Sequence, residues 1–116
     1  MKFVALAVLA AALAAPAAFA KGTANTALVA TDGPGFTITL TQKGKKVTTL
    51  KAGKYTITVK DKSNIHNFHL TGPGVNKKTS VGAVSTTTWK VTLKKGHYQF
   101  VCDPHISIMH GNFTVK

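Results

Sequence analysis

The segment "VCDPHISIMHG", residues 101–111, gathers the chain's only cysteine, two of its five histidines and one of its two methionines. Cys102, His105 and Met109 follow one another as Cys-x2-His-x3-Met. Taken singly, an inward cysteine is usually a small core residue and a methionine a gap-filler. Together they are a thiolate, an imidazole and a thioether delivered by one short stretch. Soft thiolate and imidazole donors suit copper, and a weak axial thioether completes the His2Cys-plus-Met set of an electron-transfer copper site. Zinc also takes thiolate and imidazole, but structural zinc prefers four strong ligands and binds a thioether poorly. Copper is therefore the expected ion, and a second histidine is needed.

The stretch "SNIHNFHLTGPG", residues 63–74, offers His66 and His69. Strand alternation through Phe68 and Leu70 turns His66 inward and Asn67 and His69 outward. His66 is the better ligand, with Asn67 placed to brace the ligand loop by a hydrogen bond. A bulge would invert the phase and bring His69 in instead. His97 and His110 read as surface or packing histidines, although His110, directly after Met109, is an added donor that could perturb the axial position.

The elements that must position these donors are strands. In "GFTITL" Phe36, Ile38 and Leu40 share a face; in "KYTITVK" Tyr55, Ile57 and Val59 do; in "TWKVTLK" Trp89, Val91 and Leu93 do. "GHYQFVC" puts Tyr98, Phe100 and Cys102 on one face, and "GNFTVK" does the same for Phe113 and Val115. Turns fit at "DGPG", "QKGK", "KAGK", "TGPG" and "KKGH", where glycine supplies backbone angles other residues avoid. About seven short antiparallel strands with no helix imply an all-β, two-sheet sandwich around one core. Proline after Asp103 stops the last-but-one strand from extending its ladder, so the chain turns over the end of the sandwich and brings His105 back toward the sulfur. Neither Gly-Pro-Gly turn precedes a helix start, so a phosphate-cradling loop is not expected there.

Residues 1–20 combine Lys2, an alanine-rich apolar run broken by Pro16 and the small-x-small triplet Ala18-Phe19-Ala20. That pattern predicts a secretory signal peptide cut after Ala20. It leaves residues 21–116 as one domain, with no transmembrane segment after signal removal and a periplasmic or extracellular location. A lone thiol in an oxidising compartment is a liability unless buried or liganded, which again singles out Cys102. The formal net charge is +12, all basic residues are lysine, and the only acids are Asp32, Asp61 and Asp103. Export, the lack of arginine and the scatter of lysines over turns argue against nucleic acid; the field favours an anionic partner.

These residues resemble the cupredoxins, the small blue copper proteins typified by plastocyanin, pseudoazurin and amicyanin. The likeness runs through the mature chain and rests on the His66-Asn67 pair, on Cys102-x-x-His105 followed by Met109, and on the closing Gly111-x-Phe113-x-Val115. It implies a Greek-key cupredoxin-like β-sandwich, one type 1 copper ion held in a plane by His66, Cys102 and His105, and Met109 as axial ligand. It also sets His69 aside, since amicyanin-like members carry a non-ligating histidine at that place. The loop length lies between those of amicyanin and plastocyanin, so no subfamily or potential follows. The implied role is single-electron shuttling between redox partners by Cu(I)/Cu(II) cycling, in a monomer that is not an enzyme. Docking would use an apolar patch around His105 that could include Ile106 and Ile108, with lysines steering an acidic partner. The other readings are a copper carrier or buffer using the same ligands, and a metal-free adhesive sandwich.

Overall fold

A computed structural model describes residues 25–116; the signal peptide expected at residues 1–20 lies outside them. Ten strands follow in chain order: β1 (Thr26–Asp32), β2 (Ile38–Gln42), β3 (Lys45–Lys46), β4 (Thr49–Leu50), β5 (Gly53–Asp61), β6 (His69–Gly72), β7 (Val75–Lys78), β8 (Ser85–Leu93), β9 (Gly96–Val101) and β10 (His110–Val115). The sole helical element among the described residues is one 3-10 turn, Asp103–His105. The strands form two five-stranded sheets, ordered β3-β2-β1-β5-β8 and β4-β10-β9-β6-β7.

This is the expected all-β sandwich, with two differences. First, the sheets are mixed rather than antiparallel throughout, because β1 runs parallel to β5 and β10 parallel to β4. The chain leaves β1 through the β2–β3 hairpin, switches sheets at β4, and returns to β1 from the same end. Local alternation cannot reveal the direction of a partner distant in sequence. Second, β3 and β4 are two residues each, too short to leave a periodic signal.

The core is built from the alternation. Leu28, Ala30, Ile57, Val59, Val91 and Leu93 line one inner face; Leu70, Tyr98, Phe100, Phe113 and Val115 line the other, and all are buried. Phe68 stacks on Phe100 with centroids 5.3 Å apart, and Tyr98 on Phe113 at 5.2 Å. Each such pair contributes about 0.5–1.5 kcal/mol beyond its buried area. Gly111 lies directly under the Phe100 ring, where a Cβ would overlap it, so glycine lets β10 approach that aromatic layer. The "QKGK" turn closes β2 and β3 with Lys43 and Gly44 both at positive φ, 51° and 79°, the conformation of a two-residue hairpin loop.

Phe36 departs from its expected face. Strand β2 begins only at Ile38, and Phe36 lies before it, 54% exposed. It belongs to the loop over the end of the sandwich that carries the candidate centre.

Candidate metal centre

Cys102 follows β9 in extended conformation and opens the 3-10 turn, with Pro104 at its start. The turn is closed by backbone bonds: the His105 N–H donates to the Cys102 carbonyl at 3.0 Å, and the Met109 N–H to that of His105 at 2.8 Å. The Cys102 N–H in turn donates to the Met109 carbonyl at 3.0 Å. Proline blocks the ladder, and the chain folds back on itself in one tight loop, as its sequence predicts. Cys102 and Met109 are fully buried within it.

His66 comes from the 62–68 loop ahead of β6, and its ring is fully buried. Its Nδ1 lies 3.7 Å from the Cys102 sulfur and 3.1 Å from Nδ1 of His105; the His105 Nδ1 lies 3.5 Å from the sulfur. The three donor atoms all fall within 4.8 Å of one another. Bond lengths of about 2.0–2.3 Å to a central ion place neighbouring donors roughly 3–4 Å apart, which is the spacing here. A cation satisfies all three lone pairs at once, whereas shared protons satisfy only some of them. One thiolate and two imidazoles, with a buried methionine in the same loop, fit copper in chemistry as well as in spacing.

Of the sequence candidates, the fold brings together His66, Cys102 and His105, and closes Met109 into the loop with them. His69 and His110 are not part of this cluster. The His110 Nδ1 bonds to the Ile106 carbonyl at 2.9 Å, on the exposed side of the loop. His69 sits outward on β6, with Nδ1 2.8 Å from Asp103 Oδ1 and Nε2 2.7 Å from Asn76 Oδ1.

Asn67 corrects its expected outward placement, for it is 1% exposed. His66, Asn67 and Phe68 lie in irregular backbone, where strand alternation does not apply, and all three are buried. The bracing role is nonetheless present. The Asn67 side chain donates to Asp103 Oδ2 at 2.8 Å and to the Thr79 carbonyl at 3.2 Å, and accepts from the Asp103 N–H at 2.8 Å. Its backbone N–H points at the Cys102 sulfur, 3.4 Å away. Burial pulls the Asp103 carboxyl upward, but hydrogen bonds from His69 and Asn67 and the nearby charges of His69 and Lys78 outweigh it and hold the group below the usual carboxylate value.

Phe36 and the first Gly-Pro-Gly turn were not legible as parts of the centre. The Phe36 ring meets those of His66 and His105 edge-on, with both centroids 5.0 Å away. Gly33, at φ 75°, lets the turn before Phe36 lie against the 62–66 segment, because a Cβ there would lie 2.9 Å from that of Ser63 and 3.4 Å from the His66 ring. Ile106 and Ile108 are 53% and 61% exposed, so they do not cap the core.

A protein-family model described as a cupredoxin-like domain matches residues 3–115. The chain is a cupredoxin. Among solved structures it is similar to reduced rusticyanin, with 22% identity, 78% of each chain covered and a TM-score of 0.58. A Cu(I) form of an amicyanin variant is similar over 84% of this chain and 89% of that one, at 20% identity and a TM-score of 0.52. A chain of a haem-copper terminal oxidase dimer gives 20% identity, 84% and 68% coverage and a TM-score of 0.57. At these identities the likeness is one of fold. A search of curated protein sequences finds no significant match. Among the described residues of this cupredoxin, no helix is long and apolar enough to cross a membrane.

Proposed function

We propose that this cupredoxin is an exported type 1 copper protein that passes single electrons between redox partners. The observation that carries the reading is the convergence of one buried thiol and two imidazoles within 4.8 Å, in a chain of the cupredoxin family. His66, Cys102 and His105 would hold the ion, and the Met109 thioether would be the further donor. When bound, copper supplies one-electron chemistry by alternating between Cu(I) and Cu(II). The protein's part is to keep its donors in place in both states, so that little rearrangement accompanies transfer. The crossed backbone bonds of the 102–109 loop and the Asn67–Asp103 clasp do this. An ion that drew all four of these donors from the chain would have no position left for a substrate, which favours transfer over catalysis.

His105 is the donor nearest solvent, being half-buried while His66 and Cys102 are fully covered. Exposed Phe36, Ile106 and Ile108 surround its loop, and an apolar patch of this kind favours docking of a partner. Two of the three acids, Asp32 and Asp61, are buried, so the surface is dominated by lysine and suits a partner with an acidic face. Export, a periplasmic or extracellular location and a monomeric state belong to the same proposal.

The test is to add Cu(II) to the purified protein and record visible and electron paramagnetic resonance spectra, then repeat with Cys102→Ser. An intense blue thiolate-to-copper band that disappears in the variant is the expected result. A colourless wild type overturns electron transfer, and rapid loss of copper to a chelator turns the reading to a carrier or buffer.

A further inference from the structure

We infer that His69 is a positioning residue for the metal centre: through Asp103 it fixes Asn67, whose backbone N–H faces the Cys102 sulfur. The inference rests on the copper reading above and extends it to a histidine outside the ligand set. The two oxygens of Asp103 divide their partners, Oδ2 taking the Asn67 side-chain amide and Oδ1 the His69 ring, both at 2.8 Å. An ionised carboxylate only accepts, so His69 Nδ1 is the donor. On the other side of the ring, Nε2 is 2.7 Å from the Asn76 side chain on β7. That amide can accept from a protonated ring or, turned about its Cγ, donate to a neutral one. The ring is therefore anchored in either charge state.

The geometry explains why an anchor matters. Asp103 directly follows Cys102, and its side chain is 40% exposed, against 19% for His69. A carboxylate so placed is free to swing toward water, and doing so breaks its bond from Asn67. Asn67 is tied on its inner side to the Thr79 carbonyl and across to the Asp103 N–H. The chain of contacts Asn76–His69–Asp103–Asn67–Cys102 thus runs from the sheet to the sulfur. A hydrogen bond to the sulfur stabilises electron density there and tunes the redox balance of a bound copper.

The experiment compares wild type with His69→Phe, His69→Gln and Lys78→Gln. The copper-loaded forms are read by redox titration and visible spectrum, and the metal-free forms by the 1H–15N resonances of the Asn67 backbone and side chain. In His69→Phe the carboxylate loses a donor and the copper equilibrium should shift about threefold to tenfold toward Cu(II), with displaced Asn67 resonances. His69→Gln, which can still donate to Asp103, should recover part of both effects. Lys78→Gln removes a nearby charge without removing a bond in the chain and should leave the Asn67 resonances in place. Unchanged Asn67 resonances in His69→Phe, with only a lower melting temperature, overturn the inference. So does an equal redox shift in Lys78→Gln, which would assign the effect to general field. A wild type without a blue band overturns the copper reading instead, and the metal-free resonances then decide whether His69 positions Asn67.

Discussion

Asp32→Asn should make the protein more resistant to unfolding at pH 8 and remove much of the fall in its stability between pH 5 and pH 8. Asp32 and Asp61 are the last residues of β1 and β5, paired in parallel register. Residues in register on adjacent strands point to the same face about 4.8 Å apart, and both carboxyls are buried, at 0% and 1% exposure. Asp61 takes the Ser63 N–H at 3.3 Å and the Thr79 hydroxyl at 3.2 Å. Neither carboxyl oxygen of Asp32 has a donor among the described residues, and the group it faces is the Asp61 carboxyl. Two ionised carboxylates repel there, whereas one shared proton converts the contact into a hydrogen bond. Burial first, then the hydrogen bond and charge of Asp61, push Asp32 from 3.8 up to about 8.

The sign follows from where the proton sits. Between these two values the folded chain holds a proton that the unfolded chain has released, so stability is full below about pH 4 and is lost as pH rises toward 8. One proton gives at most about 1.4 kcal/mol per pH unit, or roughly 4 kcal/mol from pH 5 to pH 8. Relaxation and water entry around a charged pair should leave about half of that. Histidines also titrate in this window in the unfolded chain, and Asp103, whose value is lowered, acts only below it. Because the variant shares all of these groups, the difference between the two urea-unfolding curves isolates the pair. Equal pH dependence in wild type and Asp32→Asn refutes the shared proton.

Other perturbations probe the loops over the centre. Phe36→Ala removes two edge-on ring contacts, each worth about 0.5–1.5 kcal/mol, and opens His66 to water; copper loss to a chelator should accelerate severalfold, and the melting temperature should fall by several degrees. Gly33→Ala places a Cβ against Ser63 and the His66 ring at positive φ, and should cost about 1–3 kcal/mol, measured by urea unfolding. The rate of electron exchange with an acidic partner should fall steadily as salt rises past 0.1 M, where the screening length is about 10 Å; a flat rate removes lysine steering.

The candidate donor loop stood out in the sequence because its signal is chemical. Cys102, His105 and Met109 are uncommon residue types in this chain gathered in one stretch, and Pro104 marks where β9 must stop. The core faces were legible for a different reason: Tyr55, Ile57 and Val59, or Trp89, Val91 and Leu93, lie in long strands where period-two alternation persists. The alternation signal fails in irregular backbone. Asn67 is buried beside His66 because the 62–68 loop has no pleat to turn it outward, and Phe36 is exposed because β2 starts two residues after it. Partners set by topology were hidden as well. Nothing local to Asp32 or Asp61 announces that β1 and β5 run parallel and end side by side.

The placement of the acids ties these observations together. A chain with 15 lysines and only three aspartates gains little from acids as scattered surface charges, and none is used that way. Asp103 clasps Asn67 against the ligand loop. Asp61 holds the Thr79 hydroxyl, whose oxygen accepts the Phe68 N–H at 2.9 Å while the Thr79 carbonyl accepts from Asn67. Asp32 packs behind Asp61. Each acid is thus within a few hydrogen bonds of the segment that presents His66, so a change in any of them reaches the centre through the 62–68 loop. Spectra of copper-loaded Asp32→Asn should therefore shift slightly, whereas those of Asp103→Asn, which breaks the clasp beside Cys102 directly, should shift more; the reverse order would mean that the loop does not carry the coupling.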